Sequence, residues 1–175
     1  MRITAKLMRH RQIVQKKRRG SRSRSGAAVF EFIVFAPVLL ICLVAIVEFG
    51  LVFANLQTVE LASRTASKAA AESTQADVLS GTALANTRAV ADQVLATAGM
   101  VSSGVVLEHT VAGGNGSFTS GTCTAPGTPA IPLEAVRVTV CLDLSQLTPN
   151  LLNSFGFSTT GRSVHQTTTM RFEGP

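Results

Sequence analysis

The first 26 positions of this 175-residue chain contain no acidic residue, although they carry ten of its sixteen basic side chains, from Arg2 to Arg24. The other 149 residues hold six bases against ten acids, a net of −4, so the formal charge of +6 and the pI near 10.0 belong to a short head. Histidine is scarce. His10, His109 and His165 stand far apart, with no metal-ligand spacing and no partnered cysteine pair. The glycine cluster "GGNG" at 113–116 lacks the strand-then-helix setting and the Lys-Ser/Thr of a phosphate-cradling loop. No Ser/His/Asp grouping is visible either. The chain is therefore expected to be no enzyme and to need no cofactor, metal or catalytic residue. Tryptophan and tyrosine are absent and aromatics make up 5%, yet 46% of the chain is hydrophobic. Its length allows one ordinary domain with an appendage.

The basic head reads in two ways. "KKRRGSRSRS" (16–25) looks like a nuclear-localisation cluster or an arginine–serine tract, and such runs bind phosphate backbones. Directly after it, however, Phe32–Val47 is sixteen residues without a charge or polar amide. A basic segment before a long apolar run is the cytoplasmic flank that the positive-inside rule describes. The expectation is a membrane partner and no nucleic acid. About 20 apolar residues cross a bilayer, and Ala27–Ala54 at about 1.5 Å per residue reaches about 42 Å. Pro37 inside it would bend the axis, which membrane helices tolerate. A cleaved secretory signal is the rival, with a small-residue site at Val52-Phe53-Ala54. Signal h-regions run about 7–15 residues, and this run is longer and ends in Glu48.

Glu31 is costly within such a run, about 2.5–3.5 kcal/mol at a helix centre. Taken by itself it is either an interfacial carboxylate reaching headgroups and basic leader residues, or a group kept for a partner. Its surroundings carry a likeness: Gly26-Ala27-Ala28-Val29-Phe30-Glu31-Phe32, then Pro37-Val38-Leu39-Leu40, then Glu48-Phe49-Gly50, then an alanine-rich helix. This pattern resembles the TadE-like pseudopilins of the tight-adherence (Flp, type IVc) pilus system, with the related TadF and TadG-type proteins. Phe30 departs from the family, whose valine runs directly into the glutamate. The resemblance implies cleavage after Gly26 by a prepilin peptidase, which makes Ala27 the mature N-terminus. It also implies that Glu31 docks on the terminal amine of a neighbouring pilin or pseudopilin subunit, and that the pilus assembly platform is a partner. Two physical points agree. Glycine can be gripped extended by a protease, and Glu31 stands one turn, about 6 Å, from the new amine, near a helix N-terminus that favours an anion.

Beyond the span, Leu51–Ala71 stays helical, with Leu56, Val59, Ala62, Ala66 and Ala69 at three- and four-residue spacing and Glu60, Arg64, Ser67 and Lys68 elsewhere. A second helix is expected over Thr82–Ala98, stopped by Gly99. Val105–Val111 reads as a strand, residues 112–132 as an exposed glycine-rich loop, Val136–Leu144 as a half-buried strand by alternation, and Ser163–Phe172 as another. The fold class is α+β: a long N-terminal transmembrane helix continuing into an amphipathic helix, then a small antiparallel, pilin-like sheet domain. The divisions are a cytoplasmic leader 1–26, a span 27–54, helices 55–100 and a β-rich part 101–175, the last two outside the cytoplasm. Cys42 lies in the span. Cys123 and Cys141 fall where disulfides persist, and a bond between them is expected to contribute about 3 kcal/mol; two free thiols are the alternative.

The resulting expectation is a single-pass protein of the bacterial inner membrane that assembles or anchors a pilus by helix packing. The alternative is an unprocessed, membrane-anchored extracytoplasmic binding or adhesion domain. A third form, secreted and soluble, would begin at Asn55.

Overall fold

The computed structural model describes residues 24–124 and 129–175, so most of the basic leader 1–26 lies outside the described residues. The chain divides into two compact units, Met1–Ala45 and Ile46–Pro175. Helix α1, Arg24–Ala71, begins in the first and ends in the second. It starts three residues before the expected 27. Ser25 and Gly26 cost a helix no more than about 1 kcal/mol each, and a long apolar helix propagates readily back through them.

In the first unit α1 is apolar on every side apart from Glu31. Val29, Phe30, Phe32, Ile33, Phe35, Leu39, Leu40 and Leu43 are all exposed. A helix with no polar face has no reason to stand in water, and α1 is long and apolar enough to cross a membrane.

In the second unit α1 turns amphipathic. Val59, Ala62, Ser63, Ala66, Ser67 and Ala70 form a fully buried stripe, while Glu60–Arg64 and Lys68–Glu72 pair along the exposed side. Ser67, expected outside, is inside: its hydroxyl donates to the Ser63 carbonyl at 2.8 Å and the Thr168 carbonyl at 3.2 Å. Small side chains let a sheet lie close against the helix, and the Ser67 hydroxyl is satisfied by these carbonyls and that of Ser63 by the Thr168 hydroxyl at 2.8 Å, which keeps their burial cheap. A short helix α2, Gln75–Ser80, is capped by the Thr74 hydroxyl, which accepts from the Asp77 N–H. Helix α3, Ala83–Ala96, buries Ala83, Thr87, Ala91 and Leu95. Gly99 ends this turn at φ +71°, and the Met100 N–H returns to the Leu95 carbonyl at 3.1 Å, as a glycine stop requires.

Four antiparallel strands follow: β1 Gly104–His109, β2 Gly116–Gly121, β3 Ala135–Asp143 and β4 Ser163–Arg171, in the order β2-β1-β3-β4. The long N-terminal helix and this small sheet make the chain α+β. Val105 faces Val140 and Leu107 faces Val138 across the β1–β3 pair; with Val136 and Leu142 they form one core with α1 and α3.

Two strands differ from expectation. Strand β2 lies inside the stretch 112–132 read as loop. Its Gly/Ser/Thr sequence offers no apolar alternation, and its pairing with β1 rests on backbone hydrogen bonds, which side-chain patterns do not report. Strand β3 was expected half-buried, yet all of it except Asp143 is buried. Residues on either side of it cover its second face: Cys123 bonds Cys141, and the Arg137 guanidinium donates to the Pro129 carbonyl at 2.6 Å and to the Thr169 hydroxyl at 3.2 Å. Glycine is needed under this cover. A Cβ on Gly104 would stand 2.6 Å from the Ser120 carbonyl oxygen and 2.8 Å from the Cys123 Cβ.

Candidate functional site: the N-terminal helix and its two carboxylates

Gly26 and Ala27 lie in the first turn of α1. Gly26 is exposed, and nothing stands within 4 Å of where its Cβ would be. A protease would meet no steric block there, but the backbone is helical, so the first turn must unwind before an extended substrate can be presented. Glu31 follows Ala27 by four residues, one helical turn. It is exposed, and among the described residues it has no ion-pair partner. An acid on an apolar helix with no partner of its own is free to meet one from outside.

Glu48, which in the sequence ends the apolar run and opens the Glu48-Phe49-Gly50 element, is in the opposite state. It is 4% exposed. One carboxylate oxygen accepts from the Thr148 hydroxyl at 2.7 Å, the other from the Leu152 N–H at 2.8 Å. Two turns on, the Asn55 amide donates to the Leu147 carbonyl at 2.7 Å. Together these bonds tie residues 147–152 to the helix. Beside Glu48 lies a cavity of about 560 Å³ walled by Phe49, Val52, Leu144, Leu152 and Phe157, with Arg162 on its lining. An acid closing an apolar run is the only sequence signal of this arrangement, and its partners are a hundred residues away.

Cys123 and Cys141 form the expected disulfide, with Cα atoms 5.6 Å apart, whereas Cys42 is free and exposed. The His165 Nδ1 is 3.0 Å from the Cys141 sulfur, and potential ligand atoms of Cys123, Cys141 and His165 lie within 4.8 Å of one another. Sulfurs joined to each other are not thiolates, so in this form the trio does not offer a metal the ligands it needs. His109 is 3% exposed and stacks on Phe118 with ring centroids 5.9 Å apart. Among the described residues neither of its ring nitrogens has a hydrogen-bond partner. Burial pushes its pKa below the usual histidine value.

A single exposed apolar helix and a small α+β domain define the class: a protein with one candidate membrane anchor and a domain that buries a carboxylate against its own 147–152 segment. Residues 26–68 match the family model described as TadE-like protein, a stretch that opens at Gly26 and contains Glu31, Pro37 and Glu48. The match supports a TadE-like protein of the tight-adherence system. The match covers about a quarter of the chain and stops before the sheet. Neither a curated protein nor a solved structure matches the chain significantly.

Proposed function

We propose that the chain is a minor pseudopilin that helps to assemble or anchor tight-adherence pili, and that a prepilin peptidase cuts it between Gly26 and Ala27. The basic head then lies on the cytoplasmic side of the inner membrane and the sheet domain on the other. Glu31 meets the N-terminal amine of an adjoining pilin or pseudopilin, and the pilus assembly platform is the further partner. The work is done by packing and not by catalysis. One observation carries this reading: the TadE-like match falls on the helix whose apolar surface is exposed all round, with its one unpartnered acid a turn beyond the glycine. Removing one member of a desolvated amine–carboxylate pair costs more than the pair contributes, which suits a contact that must form before a subunit is retained.

The helical state of Gly26–Ala27 favours a second reading, an unprocessed anchor carrying a binding or adhesion domain. N-terminal sequencing of the protein extracted from its own membrane separates the two. Ala27 is expected for the pseudopilin. Met1 would establish the unprocessed anchor, and Asn55 a secreted domain.

A further inference from the structure

We propose that residues 151–157 form a lipid-seating surface, in which Leu151, Phe155 and Phe157 enter the membrane interface and the cavity beside Glu48 takes part of a phospholipid. The proposal rests on α1 crossing the membrane.

Depth is the first argument. At about 1.5 Å per residue, the roughly 30 Å of hydrocarbon in a bilayer takes about 20 helical residues. Counted from Ala27, where the expected span begins, they end at Ile46. Glu48 follows two residues later, at the boundary with the headgroups. The segment 147–152 is held to that level by the Thr148 and Leu152 bonds to Glu48 and by the Asn55 bond to Leu147.

Composition is the second. From Leu144 to Gly161 no residue is charged, and the first charge after this stretch is Arg162. The 3₁₀ turn Leu151–Phe155 and the glycine after it present Leu151, Phe155 and Phe157, the last 66% exposed. Apolar side chains without intervening charge are what an interfacial segment needs, since each buries area among acyl chains while the polar backbone stays at headgroup depth. The same segment gives the Glu48 carboxylate two donors, so the acid can stay at the edge of the hydrocarbon without water around it.

The cavity supplies the third. Its apolar wall of Phe49, Val52, Leu144, Leu152 and Phe157 suits the upper part of an acyl chain, and Arg162 suits the phosphate. A pilin-like partner would find the same apolar side chains, but nothing else on this surface favours a protein. The level of Glu48 favours lipid.

Native tryptophan is absent, so single-tryptophan variants of the full chain give an unmixed signal. In vesicles of phosphatidylcholine and phosphatidylglycerol brominated high on the acyl chain, F157W and F155W are each expected to lose about half of their emission relative to unbrominated vesicles, as interfacial side chains within reach of the bromines do. L40W, inside the span, reports whether the helix is in lipid. L133W is the control for a side chain that is exposed but far from the bilayer. Leu133 is 84% exposed, next to Glu134, whose carbonyl accepts from Phe172, while the neighbouring Glu173 bonds Ala71 at the far end of α1; it should not be quenched. Quenching of L40W without quenching of F157W or F155W overturns the proposal. Blue-shifted emission in that case means that a protein covers the surface. If L40W is also unquenched, the membrane span fails and the proposal falls with it.

Discussion

Two side chains show how differently a polar group can be buried in this domain. Glu48 is sealed with two donors, whereas His109 is sealed against Phe118 with none among the described residues. An imidazole held this way is neutral, because protonation would put a charge where nothing answers it. Its pKa is accordingly lowered from the ordinary value near 6.5. The unfolded chain therefore binds the proton at a pH where the folded one does not, and the stability His109 contributes is whole above about 6.5 and is lost as pH falls below it toward the folded value. Thermal melts should show the wild type losing Tm between about pH 7 and pH 5 more steeply than His109→Phe. Parallel slopes would remove His109 from the acid response. Of these acids, Glu31 was legible in the sequence because an acid in an apolar run is costly wherever the rest of the chain goes. The role of Glu48 was not legible, because it is defined by Thr148 and Leu152, and only folding brings them near.

Elements were read well where their side chains carry the period and poorly where the backbone does. Strand β3 alternates, and the expected strand Ser163–Phe172 matches β4, Ser163–Arg171, to within one residue. The short helix α2 and strand β2 were missed, since neither has enough apolar residues to mark a face. The burial of both faces of β3 depends on contacts such as those of Cys123 and Pro129, and the disulfide holds Cys123 in place across Gly104. A Cys123→Ser/Cys141→Ser chain should lose about 3 kcal/mol in denaturant unfolding, the chain-entropy expectation for a loop of this length. A loss below about 1 kcal/mol would mean that the Arg137 contacts to Pro129 and Thr169 hold the segment without the bond.

Charge is a property of the whole molecule, and it makes processing visible. With its leader the chain has a sequence pI near 10.0. Without residues 1–26, six bases face ten acids, and the isoelectric point moves well below neutrality. Isoelectric focusing of protein from its native membrane should therefore give an acidic band, and Gly26→Phe should return it to the basic end. A basic band from the wild type would show that the leader is retained. The sequence disclosed the candidate membrane span and the α+β class because hydrophobic length and alternation are local. It did not disclose which part of the domain is tied to the helix, since that is settled by single hydrogen bonds between residues distant in the chain.

Those bonds also dictate a length. Glu48, Asn55, Ser63, Ser67 and Ala71 reach residues 148 and 152, 147, 138 and 168, 168, and 173 in turn. One residue added between Glu48 and Ala71 would swing every later anchor by about 100° and push it about 1.5 Å along the axis. Insertions are therefore barred from this half of the helix, and a working relative must keep the same count of residues from its second glutamate to the end of the stem.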